Sequence, residues 1–287
     1  MNRIKTFLLL GLVTALLVAF GARLGSGWLL ASVAAAFALN LGAYFWSHKL
    51  VLRLQGAQEL PERDAPWLHR EVADLAARAG IPKPKVYLIP DDAPNAFATG
   101  RNPEHGVVAF TEGLLRTLPR RELRGVIAHE LSHILNRDIL VATVAAGLAG
   151  AVSLLANVVQ WGALFGGASQ EEEGGTHPFA GLLFALLAPI GASLIQFAIS
   201  RSREFMADEG AAALTQDPEG LALALQRLER GQEFEAAGPT AQPATASLMI
   251  ASPFRGTGLL SWFSTHPPVE ARVARLLSLT PFRHRAA

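Results

Sequence analysis

Four long apolar stretches constrain the fold of this chain more than any other feature. They cover residues 4–24, 27–46, 139 to about 167 and about 178–200. Each is at least as long as the roughly 20 residues that an α-helix needs to cross a bilayer. Hydrophobic residues make up 51% of the sequence and charged residues only 17%, which is typical of membrane proteins. The sequence therefore predicts an α-helical membrane protein with about four transmembrane helices.

The first two stretches favour a retained helical hairpin over a cleavable signal peptide. The first run has a basic start and a poor cleavage site, AFGA. The second run carries no charge and has Trp28 and Trp46 near its ends, where aromatic belts form at membrane surfaces. Residues 1–46 are thus predicted to form an N-terminal transmembrane hairpin. Residues 139–200 are predicted to form a second hairpin, with a buried or re-entrant core hairpin as the alternative.

Basic residues flank the apolar stretches on one predicted side of the membrane. These residues are Arg3, Lys5, Lys49, Arg53, Arg201 and Arg203. The loop between the third and fourth stretches is instead acidic at 171–173, and Arg23 is the one exception to the pattern. The positive-inside rule places residues 47–138 and 201–287 together in the cytoplasm. The two segments are therefore expected to form one domain.

Those two segments show a mixed α+β pattern. Apolar spacing predicts helices over 65–79 and 120–138, and short strands over 85–90, 95–100 and 106–111, the last two joined as a hairpin or meander. Residues 231–258 are rich in Gly, Pro, Ala, Thr and Ser, which predicts a mobile loop. The expected fold class is therefore an α-helical membrane protein that carries a mixed α+β domain in the cytoplasm.

The sequence HELSH at 129–133 predicts a zinc site on the second of these helices. On a helix His129 and His133 lie one turn apart on the same face, so both imidazoles can reach one zinc ion. Glu130 then lies beside the metal, where it can act as general base toward a water molecule. Because the chain has no cysteine, a metal site must use His, Asp, Glu or backbone oxygen.

A catalytic zinc usually takes three protein ligands, so a further residue is required. The fourth apolar stretch is followed by SRSREFMAD, in which Glu204 and Asp208 share one helix face. We expect Glu204 to be the third ligand and Asp208 to orient a ligand imidazole. The alternative is a solvated first turn in which Glu204 pairs with a neighbouring arginine. His177 is excluded by the predicted topology, and Asp138 by its position nearly half a turn from the face of His133.

HELSH, SREFMAD, STHPPVEAR and the paired N-terminal apolar runs together resemble the HtpX family of bacterial membrane-bound zinc metalloproteases, which are relatives of the CAAX prenyl proteases. The resemblance covers nearly the whole chain. It implies that the mixed α+β cytoplasmic domain is a zincin-like metalloprotease domain. It also implies a gluzincin-type endopeptidase in the bacterial inner membrane that faces the cytoplasm and cleaves misfolded or damaged membrane proteins. It also implies His129, His133 and Glu204 as ligands of one zinc ion and Glu130 as the catalytic base.

Three further residues are candidates for contacts with a substrate. An oxyanion needs a second donor, and His266 is our candidate, with Arg272 nearby in sequence; a helix-cap histidine is the alternative for His266. Asn95, on the predicted edge strand, is a candidate for binding a substrate amide, or else a turn former after Pro94. The histidines not named so far are predicted to be structural or surface residues: His48, His69, His105 and His284.

The expected partners are a lipid bilayer and polypeptide substrates, either membrane proteins or unfolded chains. A net charge of +1 gives no support to a nucleic-acid partner. Two other classes of function stay open: a membrane zinc hydrolase with a non-peptide substrate, and a catalytically silent membrane scaffold. The first would bind zinc without cleaving casein, and the second would be unaffected by loss of the Glu130 carboxylate.

Overall fold

The structure is a computed structural model, which describes residues 26–146, 201–234 and 267–279, together with single residues within 8–22 and residues 148 and 250. The helices are α1 Ser26–Leu54, α2 Pro66–Arg78, α3 Glu112–Thr117, α4 Arg120–Leu135, α5 Arg201–Thr215, α6 Pro218–Phe234 and α7 Val269–Ser278. The strands are β1 Gln58–Glu59, β2 Lys85–Ile89, β3 Ala96–Thr99 and β4 Val107–Thr111, with a 3-10 helix at Pro103–His105. Residues 139–146 are also helical.

The sheet has four strands in the order β1-β2-β4-β3. β1 is antiparallel to β2, β2 is parallel to β4, and β3 is antiparallel to β4. The three predicted strands and the hairpin between β3 and β4 are present. Since β3 pairs with β4 on one side only, it is an edge strand of the described sheet, as the sequence predicts for residues 95–100.

Helix α1 contains the second predicted span and is, within the described residues, the one helix long and apolar enough to cross a membrane. Its large apolar side chains are exposed, among them Trp28 at 63% and Phe37 at 67%. Of the first predicted span only scattered residues are described, and these are helical. The third span is described only at residues 139–146 and 148, and the fourth lies wholly outside the described residues, so the prediction of four spans stays a prediction.

Helix α4, which carries the HELSH motif, is the central helix of the mixed α+β domain. It is buried on nearly every side, from Glu122 through Ile134, whereas a surface helix would bury one stripe. The largest apolar cluster contains side chains from both sides of the 139–200 stretch, such as Leu68, Ile127, Leu225 and Leu276. The two predicted cytoplasmic segments therefore share one core.

Two glycines allow neighbouring helices to approach α4 closely. A Cβ atom on Gly125 of α4 would lie 2.8 Å from the backbone nitrogen of Leu221 on α6, and one on Gly210 of α5 would lie 2.6 Å from Oγ of Ser132 on α4. The predicted loop over 231–258 begins later than expected, because α6 continues to Phe234. The rest of that loop lies outside the described residues, apart from Ile250.

Gly125→Ala should destabilise the fold. The added methyl group meets the backbone of Leu221 at 2.8–2.9 Å, so α6 has to move, at a cost of about 1–3 kcal/mol. The melting temperature of the purified chain in detergent should fall by about 2 to 12 °C. Gly27→Ala is the matched control, because nothing lies within 4 Å of a Cβ atom there. Equal melting temperatures for the two variants would contradict this account of the α4–α6 contact.

Candidate metal centre

The two motif histidines on α4 point their Nε2 atoms at each other. These atoms are 3.1 Å apart, and the rings are perpendicular with centroids 4.7 Å apart. The helix sets this geometry, because residues four apart lie one turn from each other on the same face. His129 is 1% exposed, so a ligand between the rings would be shielded from bulk water on that side.

Glu204 joins the pair from the first turn of α5. Its Oε2 lies 3.7 Å from Nε2 of His129, and its Oε1 lies 3.7 Å from Nε2 of His133. One ligand atom from each of the three residues lies within 4.8 Å of the others. Tetrahedral zinc with nitrogen and oxygen ligands requires separations of about 3.3–3.5 Å between ligand atoms. The three predicted ligands therefore fit zinc in both chemistry and spacing.

Asp208, one turn after Glu204 on α5, contacts the other side of His129. Its Oδ1 lies 3.0 Å from Nδ1 of His129. An imidazole that binds a metal through Nε2 usually donates its Nδ1–H to such a carboxylate, which fixes the tautomer and the ring plane. The structure therefore brings Asp208 to the position expected for a residue that orients a ligand.

Arg272, from α7, is held by this same carboxylate. Its Nε and Nη2 donate to Asp208 at 2.8 and 2.7 Å, its Nη1 donates to the carbonyl of Ile250 at 3.4 Å, and its side chain is fully buried. The sequence predicts Arg272 as a substrate-binding residue, and this stays a prediction. The structure places its guanidinium against the ring of His129, with Nη2 3.4 Å from Nε2 of that ring and Nη1 3.8 Å from Oε2 of Glu204. A two-pronged ion pair with Arg272 holds the Asp208 carboxylate in place.

Asp138 contacts His133, which corrects the expectation that it points elsewhere. Its Oδ2 lies 3.1 Å from Nδ1 of His133, and its side chain is buried. The expectation extended α4 as a straight helix to residue 138. Helix α4 ends at Leu135 instead, and Arg137 takes a left-handed conformation with φ of 55°.

The end of α4 is a Schellman motif, and this turn brings Asp138 back to the helix. The N–H of Arg137 donates to the carbonyl of Ile134, and that of Asp138 to the carbonyl of His133. Glycine at the left-handed position is the usual sequence signal for this motif. Here that position is Arg137, so the sequence carried no signal for the reversal or for the contact of Asp138.

One divalent cation would balance the charges of the buried carboxylates and guanidiniums around His129 and His133. The buried or nearly buried carboxylates are those of Glu130, Asp138, Glu204 and Asp208, and the buried guanidiniums are those of Arg203 and Arg272. With neutral imidazoles these groups carry a net charge of −2. Burying unpaired charge is costly, so a dication at the three ligands would neutralise the cluster.

Neighbouring carboxylates strongly favour protonation of the metal-free histidines. Burial alone would lower the pKa of His133, but Asp138, followed by Glu204 and Glu130, raises it to about 10. The pKa of His129 is also raised, because its hydrogen bonds to Asp208 and Glu204 outweigh burial. A metal ion therefore has to displace a proton from this site at neutral pH.

Glu130 lies between the zinc ligands and the edge of the sheet. Its side chain is 2% exposed, and burial raises the pKa of its carboxyl above the ordinary value. The backbone N–H of Ala98, on edge strand β3, donates to this carboxyl group. The catalytic candidate is thus tied directly to the strand that was predicted to bind a peptide.

Of the other two predicted substrate residues, the structure describes Asn95 but not His266. Asn95 is buried beside β3, and its Oδ1 accepts from the N–H of Ala96 at 2.9 Å. The carbonyl of Ala96 accepts from the N–H of Ile250 at 3.0 Å, so a residue of this chain already occupies part of the β3 edge. His266 lies outside the described residues, and its role stays a prediction.

Asp138→Asn should weaken zinc binding by about 10- to 100-fold, because the loss of a carboxylate behind a ligand histidine has this effect in other zinc sites. Competition with a chromogenic chelator measures the affinity. Asp92→Asn is a suitable control, since Asp92 is exposed and pairs with Arg116 at the surface. If both variants bind zinc as tightly as the wild type, Asp138 does not orient His133.

Zinc binding should release at least about one proton per chain at pH 8. With a pKa near 10 the metal-free His133 is protonated at pH 8, whereas an ordinary histidine with a pKa of about 6.5 would not be. The apparent zinc affinity should therefore rise with pH between 7 and 10. A pH indicator in weak buffer measures the release, and no release at pH 8 would contradict the raised pKa.

Comparison with known proteins identifies the family. The model of peptidase family M48 matches residues 62–280. A protease HtpX homolog from Paraburkholderia phytofirmans is 49% identical over 284 residues, which is 97% of each chain. A second, from Ralstonia nicotianae, is 51% identical over 283 residues, covering 97% of this chain and 96% of the relative. These matches confirm the resemblance to HtpX proteases.

A solved structure shows a similar fold. The crystal structure of S. mikatae Ste24p superimposes with a TM-score of 0.54 at 18% sequence identity, and the match covers 96% of this chain and 65% of that one. At this identity the likeness bears on the fold alone. The family match and the close relatives together show that the chain belongs to peptidase family M48.

Proposed function

We propose that this chain is a membrane zinc endopeptidase that binds one zinc ion through His129, His133 and Glu204. The observation that carries the proposal is the convergence of these three side chains beside the buried carboxyl of Glu130 and the edge of a sheet. Membership of a peptidase family and close similarity to HtpX proteases support it. The charge balance of the cluster supports a single divalent cation per chain.

The residues around the metal have distinct roles in the proposed reaction. Zinc bound at this site supplies a Lewis acid for a water molecule and for the scissile carbonyl. Glu130 takes the proton from the attacking water and delivers it to the leaving amine nitrogen. The raised pKa of Glu130 suits this work, because a general base is most effective when its pKa lies near the working pH. Asp138 and Asp208 hold the two imidazoles in place.

The edge of β3 is the proposed binding surface for an extended peptide. An added strand gains affinity from main-chain hydrogen bonds and needs little side-chain specificity, which suits an enzyme that cleaves many unfolded sequences. Ile250 already pairs with Ala96, so we place the substrate strand beyond that point, alongside Ala98 and next to Glu130. Asn95 and His266 are retained as candidates for substrate contacts. For Arg272 the buried ion pair with Asp208 favours a positioning role.

We further propose that the substrates are misfolded or damaged membrane proteins, cleaved at the cytoplasmic face of the bacterial inner membrane. The exposed apolar surface of α1 supports insertion into a bilayer. The basic flanks of the apolar stretches support a multipass topology with the metal site in the cytoplasm. Because residues 139–146 follow α4 directly, the metal site would lie close to the membrane surface, within reach of cytoplasmic parts of membrane proteins.

Glu130→Gln should reduce cleavage of casein by at least about 100-fold while zinc remains bound, because the amide cannot accept the proton from water. The measurement compares zinc-loaded wild type and variant in detergent, with zinc content determined for both. Glu270→Gln is the control, since Glu270 is exposed on α7. Equal casein cleavage by wild type and Glu130→Gln would refute the mechanism. A wild type that binds zinc but does not cleave casein would indicate a non-peptide hydrolase.

A further inference from the structure

The apolar part of α1 ends where the β3–β4 hairpin contacts this helix. No charged residue occurs in α1 between Ser26 and Trp46, and the helix becomes basic from His48 and Lys49 onward. The guanidinium of Arg101, in the hairpin, lies over the ring of Phe45 with Cζ 5.2 Å from its centroid. If α1 crosses a bilayer, as proposed above, this contact places the hairpin at the level of the lipid headgroups.

A second contact holds the hairpin beside the helical residues 139–146. The hydroxyl groups of Thr99 and Thr143 lie 2.9 Å apart, and the N–H of Gly100 donates to the Thr143 hydroxyl at 3.3 Å. Both threonines are fully buried. The hairpin is therefore tied to two helices that each border an apolar stretch, which fixes its position relative to the membrane surface.

Four basic side chains gather at this position, and we name them the basic cluster: His48, Lys49, Arg101 and His105. Nη2 of Arg101 lies 2.7 Å from Nε2 of His105, whose Nδ1 lies 2.7 Å from Oδ1 of Asn102. The buried Nδ1 of His48 has no hydrogen-bond partner among the described residues. In the part of the chain that the structure describes, the ring of Phe45 and the imidazole of His105 therefore hold Arg101 in place, and no carboxylate contacts it.

Among the described residues, the basic cluster has no acidic partners of the kind that other cations of this domain have. Lys83 pairs with Glu62, Lys85 with Glu59, Arg116 with Asp92 and Arg121 with Asp217. In the described part of the chain no ion pair involves a member of the basic cluster, although the exposed Glu104 lies next to His105 in sequence. The cations of the cluster are Lys49 and Arg101. Cations that lie close together without counterions repel each other, and a bound anion would relieve that repulsion.

We infer that the basic cluster binds the phosphate group of anionic phospholipids in the leaflet that the end of α1 reaches. Exposed Trp46 and Phe45 flank the cluster on the apolar side, which is the arrangement of a membrane-interface belt. Clusters of basic residues directly outside a membrane helix attract anionic lipids. Since the hairpin continues into β3, lipid bound there would hold the edge of the sheet at the membrane surface.

The test measures transfer of tryptophan fluorescence to dansyl-labelled lipid in detergent micelles that contain the full chain. Wild type should bind phosphatidylglycerol more tightly than phosphatidylcholine. Lys49→Gln combined with Arg101→Gln should weaken phosphatidylglycerol binding about tenfold and leave phosphatidylcholine binding unchanged. Lys83→Gln combined with Arg116→Gln is the matched control, because it removes the same charge from cations that are paired with carboxylates, and it should change neither affinity.

Two outcomes would overturn the inference: no preference for phosphatidylglycerol in wild type, or equal losses in the cluster and control variants. Inorganic phosphate is added in a separate arm. If it displaces the lipid at concentrations that leave ionic strength nearly unchanged, the cluster is a free-anion site and the lipid assignment is wrong. The measurement requires no peptide cleavage, and inactive Glu130→Gln should show the same lipid preference. Failure of the lipid inference and failure of the proposed protease function are therefore distinguishable.

Discussion

The contacts between carboxylates and the Nδ1 atoms of the two HELSH histidines are the interactions on which the rest of the structure depends. Asp208 binds His129 and Asp138 binds His133, both within a buried part of the molecule. Burying these carboxylates is costly unless each has charged or hydrogen-bonding partners with good geometry. The partners come from different elements: α4 provides the imidazoles, α5 provides Asp208, and α7 provides Arg272. The site can form only when these helices are packed together.

The end of α4 joins this site to the membrane part of the chain. One Schellman turn brings Asp138 into contact with His133. The helical residues 139–146, which begin the third apolar stretch, follow this turn directly. From that segment Thr143 binds the end of β3. A short length of chain therefore connects a metal ligand, the proposed substrate strand and the path toward the bilayer. This arrangement gives a physical reason for the position of HELSH directly before an apolar stretch.

The sequence predicted those parts of the site that depend on local spacing. His129 and His133 converge because they are one helical turn apart, and Glu204 and Asp208 face the same centre for the same reason. The contacts that the sequence did not predict depend on a turn or on tertiary packing. Asp138 reaches His133 through a left-handed residue that is not glycine. Arg272 meets Asp208 across 64 positions of sequence, so no local pattern indicated their ion pair.

In the sheet, too, the sequence predicted the individual strands but not the order in which they pair. Short strand-like runs predicted each main strand, and pairing with β4 alone makes β3 an edge strand of the described sheet, as expected for a strand that could bind a peptide. The parallel pairing of β2 with β4 places β4 in the interior, where all of its residues are buried. With β4 fully covered, β3 is the strand whose outer edge can meet Glu130. The candidate metal centre and the proposed peptide-binding edge are therefore neighbours because of sheet order, which short-range sequence patterns do not encode.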